Sequence, residues 1–167
     1  MLTYQRINIL NIVGFCDADF ADCINDKKSI TDYIFVMTRV VSWKSVKQTL
    51  TTSSTMETEY AACYETCCHA IWIRNFISAL KVVDSISRPL KLFCDNFVTV
   101  AFSKNTRSTS RFKHIDVKFY FVKEKVTKSF IDIEHMLTKN MLTNPLTKDL
   151  LIVVFHEHVS QMSLLGA

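Results

Sequence analysis

Glycine and proline are both scarce in this chain. Each occurs twice in 167 residues, as Gly14, Gly166, Pro89 and Pro145. This scarcity excludes the Gly/Ser-rich and Pro-rich linkers that join flexibly connected domains. It also removes the residues that usually make tight turns, so we expect other residue types to occupy strained turn conformations.

Long apolar runs are missing as well. None approaches the roughly 20 residues that cross a bilayer, and the N-terminus carries no secretory signal. With 49% hydrophobic residues the chain is too apolar to be disordered. We therefore expect one soluble, intracellular domain that spans residues 1–167.

Six cysteines are present, and in an intracellular protein we expect them to be reduced and mostly buried. Cys63 and Cys67 are four residues apart on a predicted helix, which is also compatible with a metal site. However, Cys67, Cys68 and His69 diverge around such a helix, and no second pair completes a tetrahedral site. A structural role for the thiols is therefore favoured.

The apolar pattern changes between strand and helix periodicities along the chain. Three strand-like runs with short connections come first, and they favour an antiparallel meander. The predicted strands cover residues 7–18, 33–37, 40–44, 90–94 and 129–135, and the predicted helices cover 54–80, 96–103, 112–126 and a final segment from Pro145. This order predicts an α/β fold with a five-stranded mixed sheet, whose first three strands are antiparallel, and flanking helices.

Two of the predicted helices carry apolar residues at three- and four-residue intervals, which indicates a buried face. In the first long helix these residues are Met56, Tyr60, Cys63, Cys67, Ile71, Ile73, Phe76, Ile77 and Leu80. In the helix over 112–126 they are Phe112, Ile115, Phe119, Val122 and Val126. The final helix carries Leu146, Leu150, Leu151, Val154, Phe155 and Val159 on its predicted buried side. We expect all three sets to face the core.

Carboxylates follow two of the predicted strands. Asp17 and Asp19 end the first strand and share one face, because they are two residues apart, and Asp95 follows the strand over 90–94. Glu57 lies in the first turn of the long helix, where a carboxylate suits the helix dipole. Such carboxylates either bind a metal ion or are polar strand ends that turn into loops, and both readings remain open at this point.

Positive charge is concentrated between Lys104 and Lys128. This segment has eight Lys or Arg residues against Asp116 and Glu124, a larger excess than the net +4 of the whole chain. A solvated helix face explains the segment about as well as a phosphate-binding surface does. If the segment binds nucleic acid, the candidate contacts are Lys104, Arg107, Arg111, Lys113 and Lys118.

Six stretches carry a family resemblance: GFCDADFADC, SWKSVKQTLTTSSTMETEY, IWIR, LFCDN, RFKHIDVKFYFVKEKV and the closing LTK. In order and spacing they resemble the ribonuclease H domain at the C-terminus of the Pol polyprotein of Ty1/copia-type retrotransposons. The resemblance extends from about Leu2 to Leu165. It implies a ribonuclease H-like fold and an endonuclease that cuts the RNA strand of RNA–DNA hybrids with two Mg²⁺ ions. It also implies association with the reverse transcriptase portion of a Pol polyprotein, in a retrotransposon particle.

The resemblance assigns a carboxylate site to the chain. It implies that Asp17, Glu59 and Asp95 bind the metal ions and are catalytic, and Mg²⁺ does prefer such oxygen ligands. The fourth carboxylate of the family aligns with Asn144, a neutral amide that lacks the charge for holding the second ion. Asn144 also fits a helix N-cap directly before Pro145. We therefore expect impaired catalysis.

Other positions also depart from the family pattern. Phe20 replaces a tryptophan, Tyr120 replaces a histidine, and Asp22 and Asp32 replace glycines, which costs stability wherever the backbone needs positive φ. The chain begins at Met1, where the domain of the family begins, and this favours an isolated copy. Two hypotheses follow. The chain is either a Mg²⁺-dependent hybrid ribonuclease or an inactive transposon relic that keeps the fold and at most binds nucleic acid or protein.

Overall fold

The computed structural model describes residues 9–20, 28–37, 39–49, 51–52, 54–81, 85–86, 89–105, 116–147 and 150–162. The strands in this part of the chain are β1 (Ile9–Leu10), β2 (Val13–Asp19), β3 (Ile30–Val36), β4 (Val40–Lys47), β5 (Ser85–Ile86), β6 (Leu90–Cys94) and β7 (Ile131–His135). The α-helices are α1 (Thr55–Leu80), α2 (Phe97–Lys104), α3 (Asp116–Thr127), α4 (Asn144–Thr147) and α5 (Ile152–Gln161). A 3₁₀ turn covers Thr138–Asn140.

Five of the strands form one mixed sheet in the order β4-β3-β2-β6-β7. β3 pairs antiparallel with β2 and with β4. β6 pairs parallel with β2 and with β7, as strands joined by helical crossovers do. The predicted fold class, a five-stranded mixed sheet that begins with three antiparallel strands, is confirmed.

The predicted first strand, residues 7–18, is interrupted. Asn11 and Ile12 are not in a strand, and Ile9–Leu10 pairs in parallel with Ser85–Ile86 as a small separate sheet. Leu10 and Ile12 are both buried, so the apolar run continues across the interruption. The sequence pattern therefore gives no sign of the break in the strand.

The predicted final helix is also wrong, because it is two helices, α4 and α5. Leu150 and Leu151 lie between them and are not helical. In α5 the expected buried side is largely exposed: Leu151, directly before the helix, is 80% exposed, and Phe155 is 43% exposed. Because α5 is separate from α4, residue spacing counted from one helix to the other does not define a single helix face. The buried residue of α5 is His158.

α1 is the longest helix, and it begins at a hydrogen-bonded cap. The Ser54 hydroxyl accepts a hydrogen bond from the Glu57 backbone N–H at 3.2 Å, which satisfies one of the free N–H groups of the first turn. After α1, Lys81 has a left-handed backbone with φ 53°, and Ser129 has one with φ 54° after α3. Glycine is usual at such helix ends, so the expectation of strained substitute residues is confirmed.

Asp32 does not carry such strain. It lies inside β3, and the described residues with positive φ are Lys81 and Ser129 alone. The expected backbone cost of replacing a family glycine is therefore wrong at Asp32, because this position is extended. Asp22 lies outside the described residues.

The main core lies between the sheet and helices α1, α2 and α3. The buried apolar residues that α1 contributes to it are Tyr60, Cys63, Cys67, Ala70, Ile73 and Ile77. On the opposite face of the sheet, Phe15 and Ile34 pack against Met141, Leu142 and Met162. The expected burial of two α1 residues is wrong, since Phe76 and Leu80 are 50% and 52% exposed.

Gly14 allows the central strands to pack tightly under α1. A Cβ atom at this position would lie 2.7 Å from Cε1 of Phe35 and even closer to the side chain of Leu92. Both neighbours are fully buried, so neither can move away freely. Gly14 is three residues before Asp17 on the same strand, and its close packing fixes the strand that carries this carboxylate.

None of the helices in the described part of the chain combines the length and apolar character that crossing a bilayer requires.

Candidate active site

Two of the predicted carboxylates lie at the same end of the sheet. β2 and β6 are parallel neighbours, and Cys16 is the register partner of Cys94. Asp17 and Asp95 are the residues that follow these two cysteines. Because neighbouring parallel strands end at the same edge of a sheet, both carboxylates lie at that edge.

Glu59 approaches this edge from α1. One ligand atom each from Glu59, Cys94 and Asp95 lies within 4.8 Å of the other two, a separation that a single cation can bridge. Across the described ranges this is the only such group of three or more potential ligands, and Asp17 is not part of it. The structure thus brings Glu59 and Asp95 together and places Asp17 on the adjacent strand.

Asp17 faces the other side of the sheet from α1. It alternates with Cys16, which packs in the main core, and shares its face with Phe15 of the smaller core. Asp17 is 4% exposed, and its Oδ1 accepts a hydrogen bond from the Ala18 N–H at 2.9 Å. This orientation explains why Asp17 lies outside the group formed by the α1 carboxylate.

Asp32 adds a second carboxylate beside Asp17. The two residues are register partners in the antiparallel β2–β3 pair, so their side chains share a face, with Cβ atoms about 4.5–5.5 Å apart. Asp32 is fully buried. Two buried carboxylates at this separation require a cation, a proton or hydrogen-bond donors close by.

Asn144 is connected to Asp95 through Thr138. The Thr138 hydroxyl donates a hydrogen bond to Asp95 Oδ2 at 2.9 Å. The Thr138 carbonyl accepts one from Asn144 Nδ2 at 2.6 Å. Asn144 is the first residue of α4 and is 4% exposed. Its side chain therefore connects the start of α4 to the 3₁₀ turn.

A row of buried thiols underlies the carboxylates. The thiols of Cys16, Cys63, Cys67 and Cys94 are buried together in the main core, and Cys16 and Cys94 are register partners on neighbouring strands. Interaction with the Cys63 thiol, together with burial, raises the pKa of Cys16 well above its usual range. Interaction with the Cys16 thiol, together with burial, does the same to the pKa of Cys94. The Cys16 and Cys94 thiols therefore stay protonated at neutral pH, and all four pack as small apolar groups.

The predicted nucleic-acid contacts are only partly described. Three of the five lie outside the described residues, namely Arg107, Arg111 and Lys113. Lys104, the last residue of α2, forms an ion pair with Asp132 of β7 at 3.2 Å. The Lys118 ammonium lies 5.1 Å from the ring centroid of Tyr64. The structure therefore places the two described lysines on the outer surfaces of α2 and α3, each with a partner.

Further lysines of α3 also lie over aromatic rings. The Lys123 ammonium is 4.7 Å from the ring centroid of Phe119, and that of Lys125 is 5.1 Å from the ring centroid of Phe121. Tyr120, between these rings, is 56% exposed. Phe119 itself is buried in the main core, so the exposed ring beside these lysines is that of Tyr120, and an exposed ring among cations suits a nucleic-acid strand.

The sequence did not predict the roles of Asp32 and Thr138. The β2–β3 register could have identified Asp32, but the residues that connect the two strands do not fix that register. Thr138 follows β7 in an irregular segment, and no pattern in the sequence indicates that its hydroxyl reaches Asp95.

The chain is similar in sequence to polyproteins of plant transposons. No protein-family model matches it. The retrovirus-related Pol polyprotein from tobacco (Nicotiana tabacum) transposon TNT 1-94 is 32% identical over 136 residues, which cover 81% of this chain and 10% of that polyprotein. The chain spans about a tenth of the length of the curated relatives it matches.

Solved structures show the same fold. LC11-RNase H1, crystallised with an RNA/DNA hybrid, superposes with a TM-score of 0.57 at 10% identity, over 78% of this chain and 88% of that one. The prototype foamy virus protease–reverse transcriptase superposes with a TM-score of 0.55 at 15% identity, over 100% of this chain and 22% of that one.

The sheet order and the likeness to these solved structures define a ribonuclease H-like fold. Over most of its length the chain is a relative of the retrovirus-related Pol polyproteins of transposons. The resemblance to the Ty1/copia-type family is therefore confirmed.

Proposed function

We propose that the chain is the ribonuclease H portion of a transposon Pol polyprotein and cleaves the RNA strand of RNA–DNA hybrids. The observation that supports this most is the approach of Glu59 and Asp95 to within 4.8 Å, at the sheet edge that also carries Asp17. In a ribonuclease H-like fold this arrangement suits phosphodiester hydrolysis, which needs carboxylates that hold cations against the phosphate.

The proposed cofactor is Mg²⁺, held by the carboxylates of Glu59 and Asp95 and by that of Asp17, which reaches the same sheet edge from the face opposite α1. Oxygen donors suit this hard cation, and the protonated thiol of Cys94 leaves the ligation to the oxygens. When bound, two such ions lower the pKa of the attacking water and neutralise charge on the phosphate. Asp32 supports the proposal, because as the register partner of Asp17 it adds further carboxyl oxygens beside it.

Each proposed ligand is held by its own element. Glu59 is fixed by α1, whose first turn is capped. Asp95 is oriented by the Thr138 hydroxyl at 2.9 Å. The buried thiols of Cys16 and Cys94 form an apolar layer that excludes water from beneath the carboxylates. This arrangement orients the carboxylates before substrate arrives, which lowers the reorganisation needed for reaction.

The proposed substrate contacts are cations of the 104–128 segment. Lys104 and Lys118 lie on α2 and α3, and the other members of the predicted set are Arg107, Arg111 and Lys113. Contacts to phosphates hold a duplex in position without reading its sequence. We therefore expect hybrid binding that weakens steeply with salt and depends little on sequence.

The proposal extends to the context of the domain. We propose that residues 1–167 form a single domain that works together with the reverse transcriptase portion of a Pol polyprotein, inside the cell and in a retrotransposon particle. The foamy virus structure supports this association, since there the same fold is part of a protease–reverse transcriptase chain.

A cleavage assay on a labelled RNA–DNA hybrid tests the activity. We expect Mg²⁺-dependent cutting that Asp17→Asn or Asp95→Asn reduces by about 10²-fold or more. Asp19→Asn is the matched control, because it removes a carboxylate from the same strand and face without touching the proposed ligand set. No cutting of the hybrid with any divalent cation, or equal cutting by all three variants, contradicts the proposal.

Asn144 favours a second candidate, an inactive relic that keeps the fold and binds nucleic acid or protein. Its amide donates to the Thr138 carbonyl at 2.6 Å, so the local structure fits an amide at this position. Under this candidate the chain binds the hybrid at low salt without cutting it. Asn144→Asp distinguishes the two, because restored cutting assigns the loss to this one residue.

A further inference from the structure

An apolar groove lies on the domain at a distance from the carboxylates. It has a volume of about 620 Å³ and is formed by the C-terminal part of α1, the start of β4, and β1. The residues that line it include Leu10, Val41, His69, Trp72, Phe76 and Leu80. The helical rise of about 1.5 Å per residue places Trp72 about 20 Å beyond Glu59 along α1. The groove is therefore separate from the candidate active site.

The α1 wall of the groove is an exposed apolar stripe. Trp72, Phe76 and Leu80 are spaced four residues apart, which places them along one side of the helix. They are 57%, 50% and 52% exposed. Across the groove, Val41 is also 41% exposed. Contiguous apolar surface of this kind marks an interaction site.

The rings of this stripe are already ordered. The ring centroids of His69 and Trp72 are 5.4 Å apart with planes 22° apart, and those of Trp72 and Phe76 are 5.3 Å apart with planes 8° apart. His69 Nε2 also hydrogen-bonds with the Ser42 hydroxyl at 2.8 Å. Side chains fixed in this way lose little entropy when a partner binds.

The chemistry of the groove suits a polypeptide better than a nucleic acid. Among the described residues, its lining has no Lys, Arg, Asp or Glu, and a nucleic-acid backbone needs cations for binding. His69 is the one ionisable side chain of this described lining, and burial lowers its pKa, so it is neutral at pH 7. An apolar segment of another protein domain fits these properties.

The position of β1 indicates which protein domain supplies this apolar segment. Leu10 forms part of the groove wall, and β1 is held there by its parallel pairing with β5. β1, the first described strand, therefore lies at the rim of the groove. The chain covers only 10% of the tobacco polyprotein, and in the foamy virus structure this fold accounts for 22% of a protease–reverse transcriptase chain.

We propose that this groove docks an apolar segment of the polymerase portion of a Pol polyprotein, and so holds the nuclease and polymerase portions together. This inference rests on the proposed function for the identity of the partner. Interfaces between domains of one chain bury about 600–1,500 Å². The groove and its exposed stripe would form the apolar centre of such an interface.

The two tryptophans of the chain allow a direct test by ¹⁹F NMR. The chain is labelled with 5-fluorotryptophan, and Trp43→Phe assigns the two signals. The probe is the tobacco Pol polyprotein from which the segment that matches this chain has been deleted. We expect the Trp72 signal to shift on addition of the probe, and the signal of Trp43, which lies outside the groove lining, to stay unchanged.

Affinity measurements with matched variants complete the test. The double variant Trp72→Gln/Phe76→Gln should bind the probe at least tenfold more weakly, since buried aromatic residues dominate interface energies. The control is Leu151→Gln/Val153→Gln, which removes apolar side chains at α5 that are even more exposed, 80% and 71%, and should bind like the unmodified chain. Urea unfolding of both double variants checks that the fold is intact.

Several outcomes would overturn the proposal. These are no binding, an unchanged Trp72 signal in the complex, and equal affinity of the two double variants. A Trp72 shift caused by RNA–DNA hybrid alone, or by raising the concentration of the chain alone, assigns the groove to nucleic acid or to a second copy instead. Hybrid cleavage without docking removes this inference and keeps the proposed function, whereas docking without cleavage removes the proposed activity and keeps the docking site.

Discussion

Replacing Asn144 by aspartate should destabilise the fold in the absence of a divalent cation, and a divalent cation should offset part of that loss. Asn144 is 4% exposed, and its Nδ2 donates to the Thr138 carbonyl at 2.6 Å. A carboxylate cannot donate, so the variant places two acceptors against each other in a buried position. An unsatisfied buried group costs about 1–3 kcal/mol, and a charged one costs more.

A bound cation offsets part of this cost. At about 4 Å, a carboxylate attracts a divalent ion by roughly 8 kcal/mol for an effective dielectric constant near 20. Desolvation cancels most of that attraction. We take a net gain of about 1.4 kcal/mol, which is about tenfold in affinity. At a Mg²⁺ concentration 100 times the Kd, binding adds about 2.7 kcal/mol to the free energy of unfolding.

Urea unfolding in EDTA and in Mg²⁺ measures both effects. Asn140→Asp is the control. Asn140 is exposed in the adjacent 3₁₀ turn, so this variant adds the same negative charge in contact with water. Asn144→Asp should fall below the unmodified chain in EDTA and gain more from Mg²⁺ than the control does. If the two variants respond alike in both solutions, Asn144 is not beside the cation and the reasoning is refuted.

Three further predictions concern single residues. Gly14→Ala should lower the free energy of unfolding by about 1–3 kcal/mol, because its Cβ would lie 2.7 Å from Phe35 Cε1, and an unchanged urea midpoint contradicts this. Thr138→Val should weaken Mg²⁺ binding in a titration because Asp95 loses its hydroxyl donor, while Thr138→Ser should keep it, and equal loss in both variants excludes a positioning role. Burial lowers the pKa of His69 in the folded chain, so the unfolded state binds more protons and stability falls as pH drops below about 6.5. His69→Gln should flatten that slope in urea titrations, and an unaltered slope would show that another group causes it.

The sequence predicts a helix or strand correctly where a single apolar periodicity covers that one element and no other. The strand over 90–94 has the predicted bounds because it alternates in burial and directly precedes Asp95. The final helix failed because a continuous apolar pattern covers two helices and the residues between them. In α1 the apolar residues occur almost all round the helix, so periodicity could not separate the buried side from the exposed Trp72 stripe.

The residues of the candidate site were likewise predictable from the sequence only in part. Asp17 and Asp95 were visible as carboxylates at strand ends, a pattern that any parallel pair would bring to one edge. Glu59 was identified only through the family resemblance, because nothing in a helical pattern distinguishes it from Glu57. Asp32 depends on strand register, which in turn depends on the connection between β2 and β3.

The thiol row provides a natural set of reporters for local opening. Each element that carries a proposed ligand also carries a buried thiol next to it. The pairs are Cys16 with Asp17, Cys63 with Glu59, and Cys94 with Asp95. A buried, protonated thiol reacts with an alkylating reagent only when its element separates from the core. Labelling rates at these three cysteines therefore give the opening free energy of each ligand-bearing element separately, and a cation that joins the carboxylates should slow all three together.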